Sequence, residues 1–175
     1  LEGVFLNEAV CMDTMIKENR KIKDEYELSC LRTAQEITDR AYEYILTRVK
    51  EGMKESEIRI ELGRFMIREG SEGVDVGVIA SSWTKTSLPH GGTDCTRTFA
   101  VSRVTNRQRE VYETVRIAQK KAIEAICSGV RGCDIDSIAR EYINGNGYRG
   151  CFEHGLGHSI GLEGHENPRF NQTCR

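Results

Sequence analysis

The sequence predicts an α+β domain made of two similar halves, and three observations carry that prediction. Residues 24–50, and again the stretch from Thr105 to Ile126, repeat apolar side chains mostly at spacings of three and four, as helices with one buried face do. Each is followed by a shorter helical stretch, at about 55–69 and about 134–143, and then by residues that read as extended chain. The halves also share glycine spacing. Gly52 to Ile58 and Gly129 to Ile135 are both six apart, Leu62 and Ala139 come four later, and Gly70 and Gly147 both lie eighteen after the first glycine.

Taken in order, residues 1–23 read as a linker or the tail of a preceding domain, with Phe5, Leu6, Val10, Met12 and Ile16 able to cover something; residues 24–175 are the domain proper. In the first long helix Leu28, Leu31, Ala34, Ile37, Ala41, Ile45 and Val49 form the buried side, and Gly52 ends it. Ile58, Leu62, Phe65 and Met66 do the same for the second, closed by Gly70. In GVDVGVIASS, residues 73–82, Val74, Val76 and Val78 alternate as in a strand. TSLPHGG then makes a turn with His90 at its tip, which in isolation reads equally well as an exposed loop histidine. Residues 98–101 run on as a strand. Thr105 caps the next helix, with Gln108 completing a capping box. Its buried stripe is Val111, Val115, Ala118, Ala122, Ile123 and Ile126, and Gly129 ends it. Ile135, Ile138, Ala139, Tyr142 and Ile143 mark the fourth helix, and NGNGYRG at 144–150 is rich in turn formers.

A chain of 175 residues suffices for one domain with a real core. The hydrophobic share, 38%, is low for a tightly packed enzyme domain. A net charge of −2 gives no reason to expect nucleic acid or an anionic membrane as partner, and no apolar run approaches transmembrane length. Seven cysteines without a CxxC pair fit free thiols in a reducing compartment, hence the cytoplasm, better than a disulfide scaffold.

Residues 151–170, CFEHGLGHSIGLEGHENPRF, concentrate the chemistry. They hold three of the four histidines (His154, His158 and His165), four glycines and the carboxylates Glu163 and Glu166. The stretch is too rich in glycine for a good helix. If it is extended, His154 and His158 share a face roughly 13 Å apart, too far to ligate one ion unless the chain bends sharply. A division of labour follows, one imidazole on metal and the others toward substrate. The bland alternative is a glycine-rich strand with incidental histidines.

The pattern HGLGHxxGLxxHExP at 154–168 resembles the signature of the pita-bread metallopeptidases, the family of aminopeptidase P and prolidase whose relatives include methionine aminopeptidase and creatinase. His154, four before His158, is similar to the proline-specific branch; the methionine branch usually keeps only the equivalents of His158 and His165. KIKDEYE at 21–27 resembles the family's entry into its first large helix. The segment Asp94, Cys95, Thr96, Arg97, Thr98 is similar to the family motif small–Asp–x–Thr–Arg–Thr, which makes Asp94 the equivalent of the second metal-binding aspartate.

The resemblance covers nearly all of residues 20–171 and implies a curved, mostly antiparallel sheet with helices on one side, in pseudo-twofold halves. It implies two divalent ions, Mn²⁺ foremost with Co²⁺ or Zn²⁺ possible, held by oxygen ligands and one imidazole. Asp94 and His158 would be ligands, with Thr96 and Arg97 supporting them, Arg97 by a forked pair of donors to a neighbouring carboxylate. His90 would face the scissile bond, His165 would stabilise the tetrahedral intermediate or shuttle a proton, and His154 would line the substrate pocket.

Two departures from the family pattern stand out. Members usually carry some twenty to twenty-five residues after the equivalent of His90, including the first metal-binding aspartate, whereas here GGTDCTRTFA follows at once. Either that segment is deleted or the chain is interrupted between residues 90 and 94. Two further metal-binding glutamates, expected on later strands, have no counterpart either. The reading is therefore an incomplete catalytic domain, inactive as it stands, from a homodimeric parent that cleaves Xaa-Pro bonds in short peptides with proline second. The alternatives are a methionine-aminopeptidase-like hydrolase, disfavoured by His154, and a catalytically dead binding domain.

Overall fold

Helix α2 (Glu25–Leu46) starts where the sequence places it, because Asp24 and Glu27 cap one another. The Glu27 amide donates to Asp24 Oδ1 at 2.8 Å, and the Asp24 amide donates to Glu27 Oε2 at 2.9 Å. Thr105 and Gln108 repeat the device at the start of α4 (Asn106–Glu124), with distances of 3.2 and 2.9 Å. The computed structural model describes residues 12–72, 84–88 and 91–173. Besides α2 and α4 these form α1 (Asp13–Asn19), α3 (Glu55–Arg68), α5 (Gly132–Ile143), and strands β1 (Thr84–Leu88), β2 (Gly91–Cys95), β3 (Gly157–Ser159) and β4 (Glu166–Phe170). A wider π-type turn, Asn144–Tyr148, follows α5.

The two halves are legible in the packing. Helices α2 and α3 share a core of Ile37, Ala41, Ile45, Leu62 and Met66; α4 and α5 share one of Ala118, Ala122, Ile135, Ala139 and Ile143. A hairpin follows each pair. β1–β2 lies on α2, and β3–β4 lies on α5. The paired glycines of the repeat take the same left-handed backbone: φ is 88° at Gly52 and 85° at Gly129, 100° at Gly70 and 87° at Gly147.

The β1–β2 ladder is antiparallel from Thr84↔Cys95 to Leu88↔Gly91, so only residues 89 and 90 lie between the strands. Chain interruption is not seen across 91–95; residues 89 and 90 lie outside the described residues. The β3–β4 ladder pairs His158 with Arg169 but Ser159 with Glu166, an irregularity that bends the ribbon beside His158. Among the described residues the strands form two two-stranded antiparallel sheets, in keeping with the incomplete α+β fold expected.

Residues 98–101 form no strand, since no described strand pairs with them there. The strand expected at 73–82 lies outside the described residues. Part of the expected linker, 13–19, is helical. On α4 only Thr114, Ala118 and Ala122 are buried, whereas Val111, Val115 and Ile123 are exposed, as is Ile126 past its end. The apolar arc of α4 is wider than the edge that α5 covers. Cys30, Cys95, Cys127 and Cys151 are free, but Cys133 is disulfide-bonded, which its spacing from the other cysteines did not reveal. Among the described residues no helix is long and apolar enough to cross a membrane.

Candidate metal centre

Three side chains converge from separate parts of the chain: Asp94 from β2, His158 from β3, and His165 from the turn just before β4. One ligand atom from each lies within 4.8 Å of the others. His158 Nε2 is 3.4 Å from Asp94 Oδ2, inside the separation of about 5 Å that two ligands of one ion allow. The His158 and His165 rings lie side by side, tilted by 35° to one another with their centroids 4.1 Å apart. Asp94 and His158 are half-buried and His165 is exposed, so the cluster sits at the rim of the fold.

The tautomer of His158 follows from its partner. Nδ1 lies 3.0 Å from the Ser159 carbonyl oxygen, which can only accept, so Nδ1 carries a proton and Nε2 is the ring atom that faces Asp94. Asp94 Oδ2 is buried and has no hydrogen-bond partner. A buried carboxylate oxygen is costly to leave unsatisfied. A divalent cation between Oδ2 and Nε2 would satisfy both, and an oxygen with one or two imidazoles is a donor set that Mn²⁺, Co²⁺ or Zn²⁺ accepts. The residues present thus fit one metal ion.

Helix α5 positions the histidine strand. Asp136 is fully buried and accepts the Leu156 amide at 3.0 Å; Arg140, one turn on, pairs with it at 2.8 and 3.0 Å. Arg140 also donates to the Phe152 and His154 carbonyls, the latter at 2.9 Å, and lies 4.3 Å over the Phe152 ring. The backbone from 152 to 156 is therefore tied to the helix by one ion pair. Sequence reasoning missed both residues, although an Asp and an Arg four apart on a helix were there to be read.

His165, expected to act on substrate, also offers a ligand atom to the cluster. His154 is not in the cluster; it is exposed, its Nδ1 lies 2.8 Å from the Gly155 carbonyl, and its ring meets Phe152 edge-on. Arg97 does not fork onto a described carboxylate. It is exposed and donates to the Thr96 carbonyl at 2.9 Å, because the strand ends at Cys95 and the chain turns outward. Thr96 is likewise exposed. His90 lies outside the described residues. Burial pushes the Cys95 thiol up, with the nearby Arg97 charge opposing.

Comparison with known proteins places these features. The model of metallopeptidase family M24 matches residues 29–94 and 90–175. The chain is 35% identical to the Xaa-Pro dipeptidase of Pyrococcus furiosus over 92% of its own length and 53% of the relative's, and equally to that of Pyrococcus horikoshii. The solved prolidase from Pyrococcus furiosus superposes with a TM-score of 0.86 at 33% identity, covering 93% of this chain and 56% of that one. The X-Pro aminopeptidase from Thermotoga maritima MSB8 gives 0.85 at 31%, covering 92% and 53%. The chain thus spans about half the length of the curated relatives it matches. Its match to the first dipeptidase runs over 185 residues but draws on about 161 of its own, 92% of 175, so the relative holds some two dozen positions that this chain lacks. The family model's division near residues 90–94 falls where the sequence lacks the expected segment.

Proposed function

Because the chain belongs to metallopeptidase family M24, in the branch of Xaa-Pro dipeptidases and aminopeptidase P, we propose that its complete protein hydrolyses the peptide bond between an N-terminal residue and proline with a divalent metal. The observation that carries the reading is the meeting of Asp94, His158 and His165 around a buried oxygen that accepts no hydrogen bond. Asp94 and His158 Nε2 would hold the ion. When bound, it would polarise the scissile carbonyl and acidify a water molecule. His165, against the His158 ring, donates to the developing oxyanion or passes the proton to the leaving amine. His90 faces the scissile bond, His154 lines the pocket for the residue before proline, and Thr96 and Arg97 steady the β2 end.

The same reading extends to a two-ion, manganese-preferring centre, to short peptides with proline second, and to a cytoplasmic homodimer, with residues 24–175 part of the catalytic domain and 1–23 a linker. The missing two dozen positions favour a second statement. The 175-residue chain alone binds one ion and cleaves slowly or not at all, because one aspartate cannot offset the repulsion of two divalent ions.

The experiment is release of the first residue from an Xaa-Pro peptide by metal-stripped protein with Mn²⁺, Co²⁺ or Zn²⁺ restored. His158→Ala is expected to lose metal affinity and rate together; His165→Ala is expected to lose rate with metal retained. Metal-independent cleavage refutes the reading, and cleavage of Met-Ala but not Xaa-Pro peptides moves it to the methionine branch. Loss of metal in His165→Ala adds that residue to the ligands.

A further inference from the structure

Resting on the metal-site reading above, we propose that Arg20, Lys23 and Glu166 are positioning residues, forming a clamp that holds the turn 161–166 so that His165 stands against His158. Glu166 directly follows His165, and only 7% of its side chain is exposed. Both its oxygens are taken. Oε1 accepts from Arg20 Nη2 and from the Glu163 amide, the latter at 3.1 Å, and Oε2 accepts from Lys23 Nζ at 2.8 Å. Arg20 Nη1 reaches Glu163 Oε1 at 3.1 Å, and Lys23 Nζ donates to the Arg20 carbonyl at 2.7 Å.

The turn is wrapped around this carboxylate. The Gly161 amide donates to the Glu163 carbonyl at 3.1 Å. A Cβ at Gly161 would lie 2.5 and 2.6 Å from the two Glu166 oxygens, so the carboxylate occupies the space a side chain would need. An exposed ion pair contributes little, but here Lys23 and Glu166 are 10% and 7% exposed and Arg20 is 22% exposed. Burial opposes the charge on Glu166, yet the Lys23, Glu163 and Arg20 hydrogen bonds outweigh it and hold the carboxyl below its usual range. The partners sit 143 and 146 residues before the turn, between α1 and α2. Neither shared helix core contains any of these side chains, so the clamp acts on the turn and not on the helix pairs. What the turn presents at its end is His165, whose ring lies beside His158 and offers a ligand atom to the cluster.

The test compares the 175-residue chain with Arg20→Ala/Lys23→Ala, Gly161→Ala and the conservative Lys23→Arg. The first readout is the imidazole NMR spectrum without metal, where the ring stack at 4.1 Å shifts the His165 signals. Both disruptive variants are expected to move His165 to free-imidazole positions with His154 unmoved, and Lys23→Arg to keep the shift. The second readout is Co²⁺ binding by calorimetry, expected to weaken about ten- to hundredfold in the disruptive variants and to stay within about twofold in Lys23→Arg. Unmoved His165 signals in the double variant overturn the proposal, whatever Gly161→Ala does. A wild-type chain that binds no Co²⁺ counts against the metal reading, while the metal-free spectra still decide the clamp. Should Gly161→Ala unfold, the double variant alone decides, since its two sites lie outside both cores.

Discussion

Replacing Asp136 with alanine is expected to destabilise the fold by about 3–5 kcal/mol, the range for removing one partner of a buried ion pair. Asp136 has no solvent exposure and the Arg140 side chain keeps 15% of its own, so the guanidinium left behind cannot turn fully to water. The variant also strands the Leu156 amide, worth about 1–3 kcal/mol alone. These losses share one carboxylate and do not add. Against a total stability of about 5–15 kcal/mol this is a large fraction. At about 2–4 °C per kcal/mol, Tm falls by roughly 6–20 °C. Asp136→Asn keeps an acceptor for Leu156 and loses the charge, so it should cost less, about 1.5–3 kcal/mol. Urea unfolding followed by circular dichroism, with the slope held constant, measures both. An Asp136→Ala midpoint within about 1 kcal/mol of wild type refutes the reasoning.

Three further outcomes are expected. Thr105→Ala removes the cap of α4 and should cost about 1 kcal/mol in the same melts, with Thr105→Asn close to neutral. Gly132→Ala places a Cβ 2.2 Å from the Arg169 carbonyl oxygen, a backbone atom that cannot swing aside; it should weaken the α5–β4 contact and raise amide exchange along β3 and β4. With iodoacetamide near neutral pH, mass spectrometry should find Cys127 and Cys151 alkylated well before Cys95, because the first two are exposed and burial keeps the Cys95 thiol protonated; equal rates would contradict that.

The helices were legible because each is specified locally. Asp24 with Glu27, and Thr105 with Gln108, announce two starts, and Gly70 sits just beyond the end of α3; Gly52 and Gly129, expected to end α2 and α4, instead lie in the turns six and five residues past Leu46 and Glu124. The meeting of Asp94 and His158, 64 residues apart, was legible only through the motif each belongs to, since no spacing rule joins β2 to β3. What was not legible depends on neighbours. The α4 stripe looked buried on all its apolar side, but burial is decided by how much of the arc another element covers, and Val115 and Ile123 fall outside it. Arg97 matched a motif whose partner carboxylate is not among the described residues. Glu166 was visible as a charge near the histidines, yet nothing in its own segment indicates that Arg20 and Lys23 come to meet it.

The long separations in the clamp and the cluster set an order of assembly. Helices α2 and α3 are joined by the turn at 47–54 and α4 and α5 by that at 125–131, so each pair closes a short loop around its own core. Bringing Arg20 to Glu163 closes 143 residues, about 2.4 kcal/mol more in chain entropy than a ten-residue loop. Contacts between neighbours in sequence form first and distant ones are deferred until the chain is already compact. The ligand cluster is thus among the last features to form on folding and the first to open under stress. Mild urea should release the turn at 161–166, read as faster amide exchange there, while both helix pairs remain protected.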